Sequence, residues 1–232
     1  MASPHLCRVS ALASGFVRLW RGWRVFVPVI LVNAVLQALL VWPTVTSSMG
    51  WWVVLSAVLS AIVFGVCFGL VASTALQVPD GSVGWGAAVG RLRAHLLPYT
   101  AWAAVWVLAV SVGLALYSIP GLVIAAVLPF LLLAALDDRG NPFVVNFRTV
   151  GRRFWRWLLT VAIAGLVLFV ADLLAGLFTF FLRNPVGSLG VWIVGGFGAV
   201  WLTTTWALIY RSAWAEPAPE PVPAAPDLEP TA

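Results

Sequence analysis

The sequence predicts an all-α membrane protein with six transmembrane helices. Of its 232 residues, 62% are apolar and only 9% are charged, and the mean hydropathy is +1.02. Soluble domains carry about 25% charged residues, so this composition excludes soluble enzyme folds, nucleic-acid-binding modules and disulfide scaffolds. The apolar residues also form runs of about 20, the length that a helix needs to cross a hydrocarbon core of about 30 Å.

The first apolar run covers residues 25–45 and follows a basic segment, as the core of a signal peptide would. A signal-peptide core has only about 7–15 apolar residues, which is shorter than this run. Residues 12–15 (Leu-Ala-Ser-Gly) resemble the start of a lipoprotein signal, but Phe16 stands where the lipidated cysteine would be. We therefore expect the first transmembrane helix to be a retained anchor.

Five further runs complete the predicted membrane domain, residues 25–211. They are expected at residues 51–77, 98–117, 121–136, 157–182 and 189–210. The run 121–136 is short, and it follows Ser-Ile-Pro-Gly at 118–121, where proline and glycine favour a tight turn. Pro129 lies inside this run and is expected to bend the helix, because proline removes one internal hydrogen bond.

The distribution of the 13 basic residues, all of them arginine, predicts the orientation of the helices. Short cytoplasmic loops collect arginine in membrane proteins. Twelve arginines fall in segment 1–24, in the loops before the third and fifth spans, or at the end of the sixth; Arg183 alone lies on the opposite side. We therefore expect a multi-pass protein of the cell (plasma or inner) membrane with both termini in the cytoplasm.

The C-terminal segment and the two cysteines carry little chemistry. From Glu216 onward the sequence is rich in proline, alanine and acidic residues, so we expect 212–232 to be a disordered cytoplasmic tail. Such a tail is either simply solvated or a ligand for a protein partner. Cys7 and Cys67 are too far apart in sequence to resemble a metal-site or redox motif, and we interpret both as structural.

A basic, amphipathic segment precedes the first, third and fifth predicted spans, and segment 1–24 is the first of these. In each one, apolar residues recur at helical spacing on one face and arginines lie outside that stripe. Helices of this kind lie in the headgroup plane with their apolar side toward the membrane. We expect eight arginines to contact anionic lipid headgroups: Arg18, Arg21, Arg91, Arg93, Arg148, Arg152, Arg153 and Arg156.

The recurrence of an amphipathic helix and a helical pair predicts three repeated units, near residues 1–77, 78–136 and 137–211. The second and third units share the tripeptide Val-Gly-Arg, at residues 89–91 and 150–152. In each unit it follows a turn that contains aspartate and glycine. The alternative is that the repetition is superficial, because basic amphipathic inner loops are common in multi-span proteins.

Three short stretches resemble a known family: residues 119–123 (Ile-Pro-Gly-Leu-Val), 137–143 (Asp-Asp-Arg-Gly-Asn-Pro-Phe) and 152–156 (Arg-Arg-Phe-Trp-Arg). They resemble the membrane-domain family found fused to some bacterial glycerophosphoryl diester phosphodiesterases and also occurring alone. The resemblance covers roughly residues 10–210, and its specific part lies within 119–157. It implies six spans, with an Ile-Pro-Gly turn before the fourth and a basic amphipathic segment before the fifth.

The sequence departs from that family at residues 144–149, where Val-Val-Asn-Phe-Arg-Thr replaces the usual Ala-Leu-x-x-Ser-Trp, and Gly151 falls one residue early. A phosphodiesterase needs metal-binding carboxylates and a histidine, but His5 and His95 lie in basic segments far from any acidic cluster. No His-Glu helix motif, phosphate-binding loop or nucleophile elbow is present. We therefore expect a protein that is not an enzyme and that has no cofactor, metal or nucleic-acid partner.

Asp172 is the one ionisable residue deep within a predicted span. A charge there costs about 3 kcal/mol on the insertion scale, so the carboxyl group should be neutral or hydrogen-bonded. Asn33 and Gln37 lie at similar depth on one face of the first span, and each can donate an amide hydrogen to a carboxylate. This predicted polar cluster is either a transport or headgroup site or a structural link between the fifth and first spans.

Small residues at four-residue spacing predict close helix packing. They are Gly65, Gly69 and Ser73 in the second span and Gly195 and Ala199 in the sixth. We expect these contacts to lie within one chain, with a dimer face as the alternative.

Two hypotheses for function follow from the sequence. The first is a non-enzymatic, lipid-associated scaffold or accessory factor whose basic helices bind anionic lipid, with a possible protein partner at the tail or the membrane face. The second is a small transporter or lipid-handling protein with a polar site around Asp172. A closed, apolar core favours the first hypothesis, and a polar-lined cavity open to one side favours the second.

Overall fold

A computed structural model describes residues 6–46, 50–78, 81–116, 118–181 and 185–215. Of the predicted tail, 212–232, residues 212–214 are instead helical, and those from Glu216 onward lie outside the described residues. The described chain forms these helices: α1 (Leu6–Arg21), α2 (Trp23–Thr46), α3 (Trp51–Gln77), α4 (Trp85–Ala94), α5 (Leu96–Leu116), α6 (Ser118–Val127), α7 (Leu131–Ala135), α8 (Pro142–Arg152), α9 (Phe154–Phe181) and α10 (Pro185–Trp214).

The helices agree with the predicted class, and no strand occurs in the described ranges. Helices α2, α3, α5 and α10 are long and apolar enough to cross a membrane, and α9 contributes a shorter apolar stretch, Phe154–Val167. Uninterrupted apolar runs give these helices because backbone N–H and C=O groups in a membrane must be satisfied within the segment. The chain is therefore an all-α membrane protein.

The fourth predicted span is two short helices rather than one. Helix α6 ends at Val127 and α7 begins at Leu131, with Pro129 between them, so the bend expected at this proline is confirmed as a break. The turn predicted at residues 118–121 is wrong, because these residues form the first turn of α6. Proline is tolerated there, since the first N–H groups of a helix have no partner within the helix.

The backbone groups freed at this break are bound by side chains from α8 and α9. The amide of Asn146 binds both sides of the gap: its Nδ2 donates to the carbonyl of Val127 and its Oδ1 accepts from the N–H of Phe130, each at 3.0 Å. The indole of Trp157 donates to the carbonyl of Ala126, also at 3.0 Å. These bonds stabilise a discontinuous helix that would otherwise leave polar groups unpaired.

The order of elements repeats three times: a short helix, a one-residue break, and then two longer helical segments, which are called arms here. In the second repeat, α6 and α7 together form the second arm. Unit 1 contains α1–α3, unit 2 contains α4–α7, and unit 3 contains α8–α10. The break residues are Gly22, His95 and Arg153. Each donates its N–H to the carbonyl four residues earlier, and its carbonyl accepts from the N–H four residues later, at 2.9–3.2 Å. Helical hydrogen bonding therefore continues through every break, while φ angles of −113° at His95 and −130° at Arg153 turn the chain.

The three short helices also pack in a ring. Helix α1 packs against α10, α4 against α3, and α8 against α7, so each contacts the last arm of the preceding unit, with unit 3 preceding unit 1. The residue seven positions before the break lies at each contact. Between α1 and α10, a Cβ atom on Gly15 would come within 2.6 Å of Thr205 Oγ1. Between α4 and α3, the carbonyl of Ala88 accepts a hydrogen bond from Ser73 Oγ at 2.8 Å. Asn146 of α8 binds the backbone between α6 and α7. This cyclic pattern supports structural repetition over the superficial alternative.

The shared Val-Gly-Arg tripeptides suggest one alignment of the residues of units 2 and 3, and the structure shows a different one. Arg91 and Thr149 both lie four residues before a break, so the true register differs from the sequence match by three residues. A shift of about one helical turn keeps apolar residues on the same face, which is why the match is misleading. A better signal is the aromatic residue four positions after each break: Phe26, Tyr99 and Trp157.

Candidate lipid-binding surface and cavity

The surface formed by α1, α4 and α8 with the C-terminal ends of α3, α7 and α10 is called the basic face here. Two groups can be distinguished among its arginines. One group donates hydrogen bonds to helix ends, where the last carbonyls have no partner within the helix and the helix dipole favours a cation. These bonds are Arg211 Nη1 to Leu76 O, Arg91 Nε to Leu136 O and Arg152 Nη1 to Ala213 O, each 3.0 Å, and Arg153 Nη2 to Ser212 O, 2.7 Å.

Three of the eight arginines expected at lipid headgroups therefore have protein partners instead. These are Arg91, Arg152 and Arg153. The guanidinium of Arg152 also lies over the ring of Trp214, 4.4 Å from its centroid, and the indole N–H of Trp214 donates to Thr149 Oγ1 at 2.9 Å. These contacts fix α8 against the end of α10. Sequence reasoning could not find them, because the partners lie 59 to 65 residues apart in the chain.

A carboxylate joins unit 2 to the start of unit 3. Asp137 forms an ion pair with Arg91, 2.7 Å between Nη2 and Oδ1, and a second with Arg139. Hydrogen bonding to Asp137 raises the pKa of Arg139, which keeps this guanidinium charged. Asp138, in contrast, is exposed and has a φ of +48°. Partly exposed pairs of this kind contribute only about 0–1 kcal/mol, so we assign the cluster to local structure.

The second group of arginines is free. Arg21, Arg93 and Arg148 are exposed, one on each short helix, and none has a protein partner within the described ranges. Arg18 and Arg156, also expected at headgroups, are half-buried. The three free guanidinium groups are therefore the ones best placed to reach an anionic headgroup.

Exposed apolar side chains accompany the free arginines in every unit. These side chains are found at fixed distances from the break residues Gly22, His95 and Arg153. The residue six positions before each break residue is apolar and 44–68% exposed, and the apolar residue directly after it is 45–48% exposed. On α1, Phe16, Trp20 and Arg21 line one shallow groove. An arginine beside exposed apolar side chains on a short amphipathic helix is the pattern of a membrane-surface helix. The apolar residues are Phe16, Val89 and Phe147 before the breaks and Trp23, Leu96 and Phe154 after them.

Of the predicted polar cluster of Asp172, Asn33 and Gln37, the structure describes the two amide side chains. Both amide atoms of Gln37 bind Ser60 of α3: Nε2 donates to its carbonyl at 3.1 Å, and Oε1 accepts from its hydroxyl at 2.6 Å. Asn33 is buried, and its Oδ1 has no hydrogen-bond partner within the described part of the chain. Asp172 lies on α9, but its side chain falls outside the described residues. Gln37 therefore links α2 to α3.

Close packing is confirmed for two of the small residues of α3. A Cβ atom on Gly69 would lie 2.9 Å from Leu92 Cδ1, and Ser73 is fully buried against α4. Gly65 has open space around its Cα, and its carbonyl instead accepts a 2.6 Å hydrogen bond from Tyr99 Oη. These contacts join α3 of unit 1 to α4 and α5 of unit 2 within one chain.

On α10 the closely packed glycine is not the one predicted. A Cβ atom on Gly195 would meet nothing within 4 Å, and both Gly195 and Ala199 line a cavity. The neighbouring Gly196 makes the contact, because a Cβ atom there would lie 2.8 Å from Ile30 Cγ2 of α2. Adjacent helical residues point about 100° apart, so a spacing pattern alone did not choose between the two glycines.

An apolar cavity of about 530 Å³ lies among α3, the α5–α6 pair with the start of α7, and the α9–α10 pair. Its walls include Phe64, Val107, Leu132 and Leu202, and Trp206 lines it as well. The indole Nε1 of Trp206 is buried and has no hydrogen-bond partner in the described ranges. Ligand pockets in proteins have volumes of about 300–1,000 Å³ and mostly apolar walls with few polar groups, as this cavity does.

Comparison with known proteins gives no independent guide to function. No family model, curated protein or solved structure matches the chain. The resemblance to the phosphodiesterase-associated membrane domain therefore stays a prediction. Within the described residues, no group of three or more histidine, cysteine, aspartate or glutamate side chains is placed to hold a metal ion. The basic face and the cavity are the two features from which a function can be argued.

Proposed function

We propose that this chain is a non-enzymatic, multi-pass protein of the cell membrane that binds anionic lipid with its basic face and acts as a scaffold or accessory factor. The observation that supports this most directly is the free arginine on each of α1, α4 and α8, together with exposed apolar side chains at matched positions of the three units. In this proposal both termini and the basic face lie on the cytoplasmic side, where arginine accumulates.

The electrostatics of the basic face favour a phosphate-bearing surface. A guanidinium group binds phosphate with two parallel hydrogen bonds, and arginine retains its charge in a membrane interface. Each arginine near an anionic leaflet contributes about 1 kcal/mol of attraction. The capping arginines hold the helix ends, so that Arg21, Arg93 and Arg148 are presented on a rigid ring of short helices.

The transporter alternative receives less support. A site for a polar or ionic substrate needs a polar-lined cavity, whereas the described cavity between the helical pairs is lined almost wholly by apolar side chains. Gln37, one of the expected polar ligands, is already hydrogen-bonded to Ser60. A partner protein bound at the tail or the membrane face remains compatible with the scaffold proposal.

The triple substitution R21Q/R93Q/R148Q tests the proposal. We expect it to reduce the preference for phosphatidylglycerol over phosphatidylcholine by about tenfold, which is about 1.4 kcal/mol and lies within the limit of about 3 kcal/mol set by three lost charges. The measurement is native mass spectrometry of lipids retained by the chain from nanodiscs that contain both lipids in equal amounts. The matched control R21K/R93K/R148K should keep the preference, and both variants should unfold at the wild-type temperature. A glutamine variant with wild-type preference would overturn the proposal.

A further inference from the structure

The cavity has the length of one lipid leaflet. Along α10 its lining extends from Val194 to Trp206, which at a rise of about 1.5 Å per residue is about 18 Å. One leaflet contributes about half of a hydrocarbon core of about 30 Å. The end of the cavity at Trp206 is the end nearer the basic face, because α10 reaches that face at Trp214. The cavity is therefore oriented along the direction of an acyl chain.

The hydroxyl groups in the cavity wall are satisfied within the protein. The hydroxyl of Tyr99 donates to the carbonyl of Gly65 at 2.6 Å, and the hydroxyl of Thr203 donates to the carbonyl of Ala199 at 2.7 Å. Trp206 Nε1 has no partner in the described chain, but this atom is buried and does not face the open space of the cavity. The wall therefore presents almost only apolar surface to a ligand.

From these observations we propose that the cavity binds one acyl chain of a membrane phospholipid, with the ester end of that chain at Trp206. The ester group lies at the headgroup end of an acyl chain, and Trp206 lies at the end of the cavity nearer the basic face. Apolar cavities in proteins exclude water and accept apolar ligands, so a hydrocarbon chain suits these walls. This site is separate from Arg21, Arg93 and Arg148, and it makes the chain a protein that holds an individual lipid among helices of all three units.

Filling the cavity provides the test. In G195L/A199L two leucine side chains would occupy the space, and a Cβ atom on Gly195 meets no other atom within 4 Å. The matched control is G165L, because Gly165 is an exposed residue of α9 that also has open space and does not line the cavity. We expect wild type and G165L to retain one molecule of ester-linked phosphatidylcholine per chain after detergent exchange, measured by native mass spectrometry. The filled variant should retain at least about tenfold less, since the apolar burial of the chain is lost.

Equal retention by wild type and a folded G195L/A199L would overturn the acyl-chain site. The probe is zwitterionic, so these results are independent of the anionic preference tested at the basic face.

Discussion

Replacing Asn146 with alanine is expected to lower the free energy of unfolding by about 3 kcal/mol, because each buried backbone group left without a partner costs about 1–3 kcal/mol. Two such groups lose their partner at once, the carbonyl of Val127 and the N–H of Phe130, and Asn146 is fully buried. The break at Pro129 would then have no side-chain amide across it. The measurement is denaturant-induced unfolding of the purified chain in detergent.

Asn141 provides the matched control in the same segment. Its side chain accepts one hydrogen bond, 3.0 Å from the N–H of Phe143, at the exposed start of α8. Loss of such an N-cap costs about 1 kcal/mol. We therefore expect Asn141→Ala to be clearly milder than Asn146→Ala. Equal or reversed losses would show that Asn146 does not stabilise the discontinuous helix.

Gly113→Ala is the second substitution with a large expected effect. A Cβ atom at Gly113 would lie 2.7 Å from the Cα atom and 2.8 Å from the nitrogen of Gly121, so α5 and α6 approach each other backbone to backbone. A backbone cannot rotate aside as a flexible side chain can, and overpacking of this kind costs about 1–3 kcal/mol or more. We expect the variant to lose about 2 kcal/mol of unfolding free energy in the same assay.

The control for this substitution should change stability in the opposite direction. Gly165 also lies within a long helix, but a Cβ atom there meets nothing within 4 Å. Alanine at an open helical position is favoured over glycine by about 0.8–1 kcal/mol. Gly165→Ala is therefore expected to be neutral or stabilising. If Gly113→Ala were stabilising as well, the close contact between α5 and α6 would be refuted.

Much of the fold could be predicted from the sequence because it depends on one-dimensional quantities. The lengths of the apolar runs located the long helices, and the 3.6-residue period located α1, α4 and α8. Pro129 predicted the interruption of the fourth span. The groups that bind the interruption were not predicted, because Asn146 stood out only as a departure from the resembled family and its partners lie 16 and 19 residues away in the chain.

The candidate sites were less predictable, and the reason is geometric. Arginine composition alone does not distinguish a free guanidinium from one that caps a distant helix end, and Arg91 and Arg211 find their acceptors 45 and 135 residues away. Small-residue spacing likewise did not separate Gly195 from Gly196, since the rotation of α10 decides which one meets Ile30. The apolar cavity has no signature in sequence, because six helices contribute to its walls.

The composition of the lipid shell around the native protein tests the central proposal most directly. The full chain would be extracted with its surrounding membrane in polymer-bounded discs, and the lipids that remain with it would be quantified by mass spectrometry against the bulk membrane. The proposed basic face, with Arg21, Arg93 and Arg148 free on its three short helices, predicts enrichment of anionic phospholipid over the bulk. It also predicts that R21Q/R93Q/R148Q abolishes this enrichment. A lipid shell with the bulk composition would contradict the account.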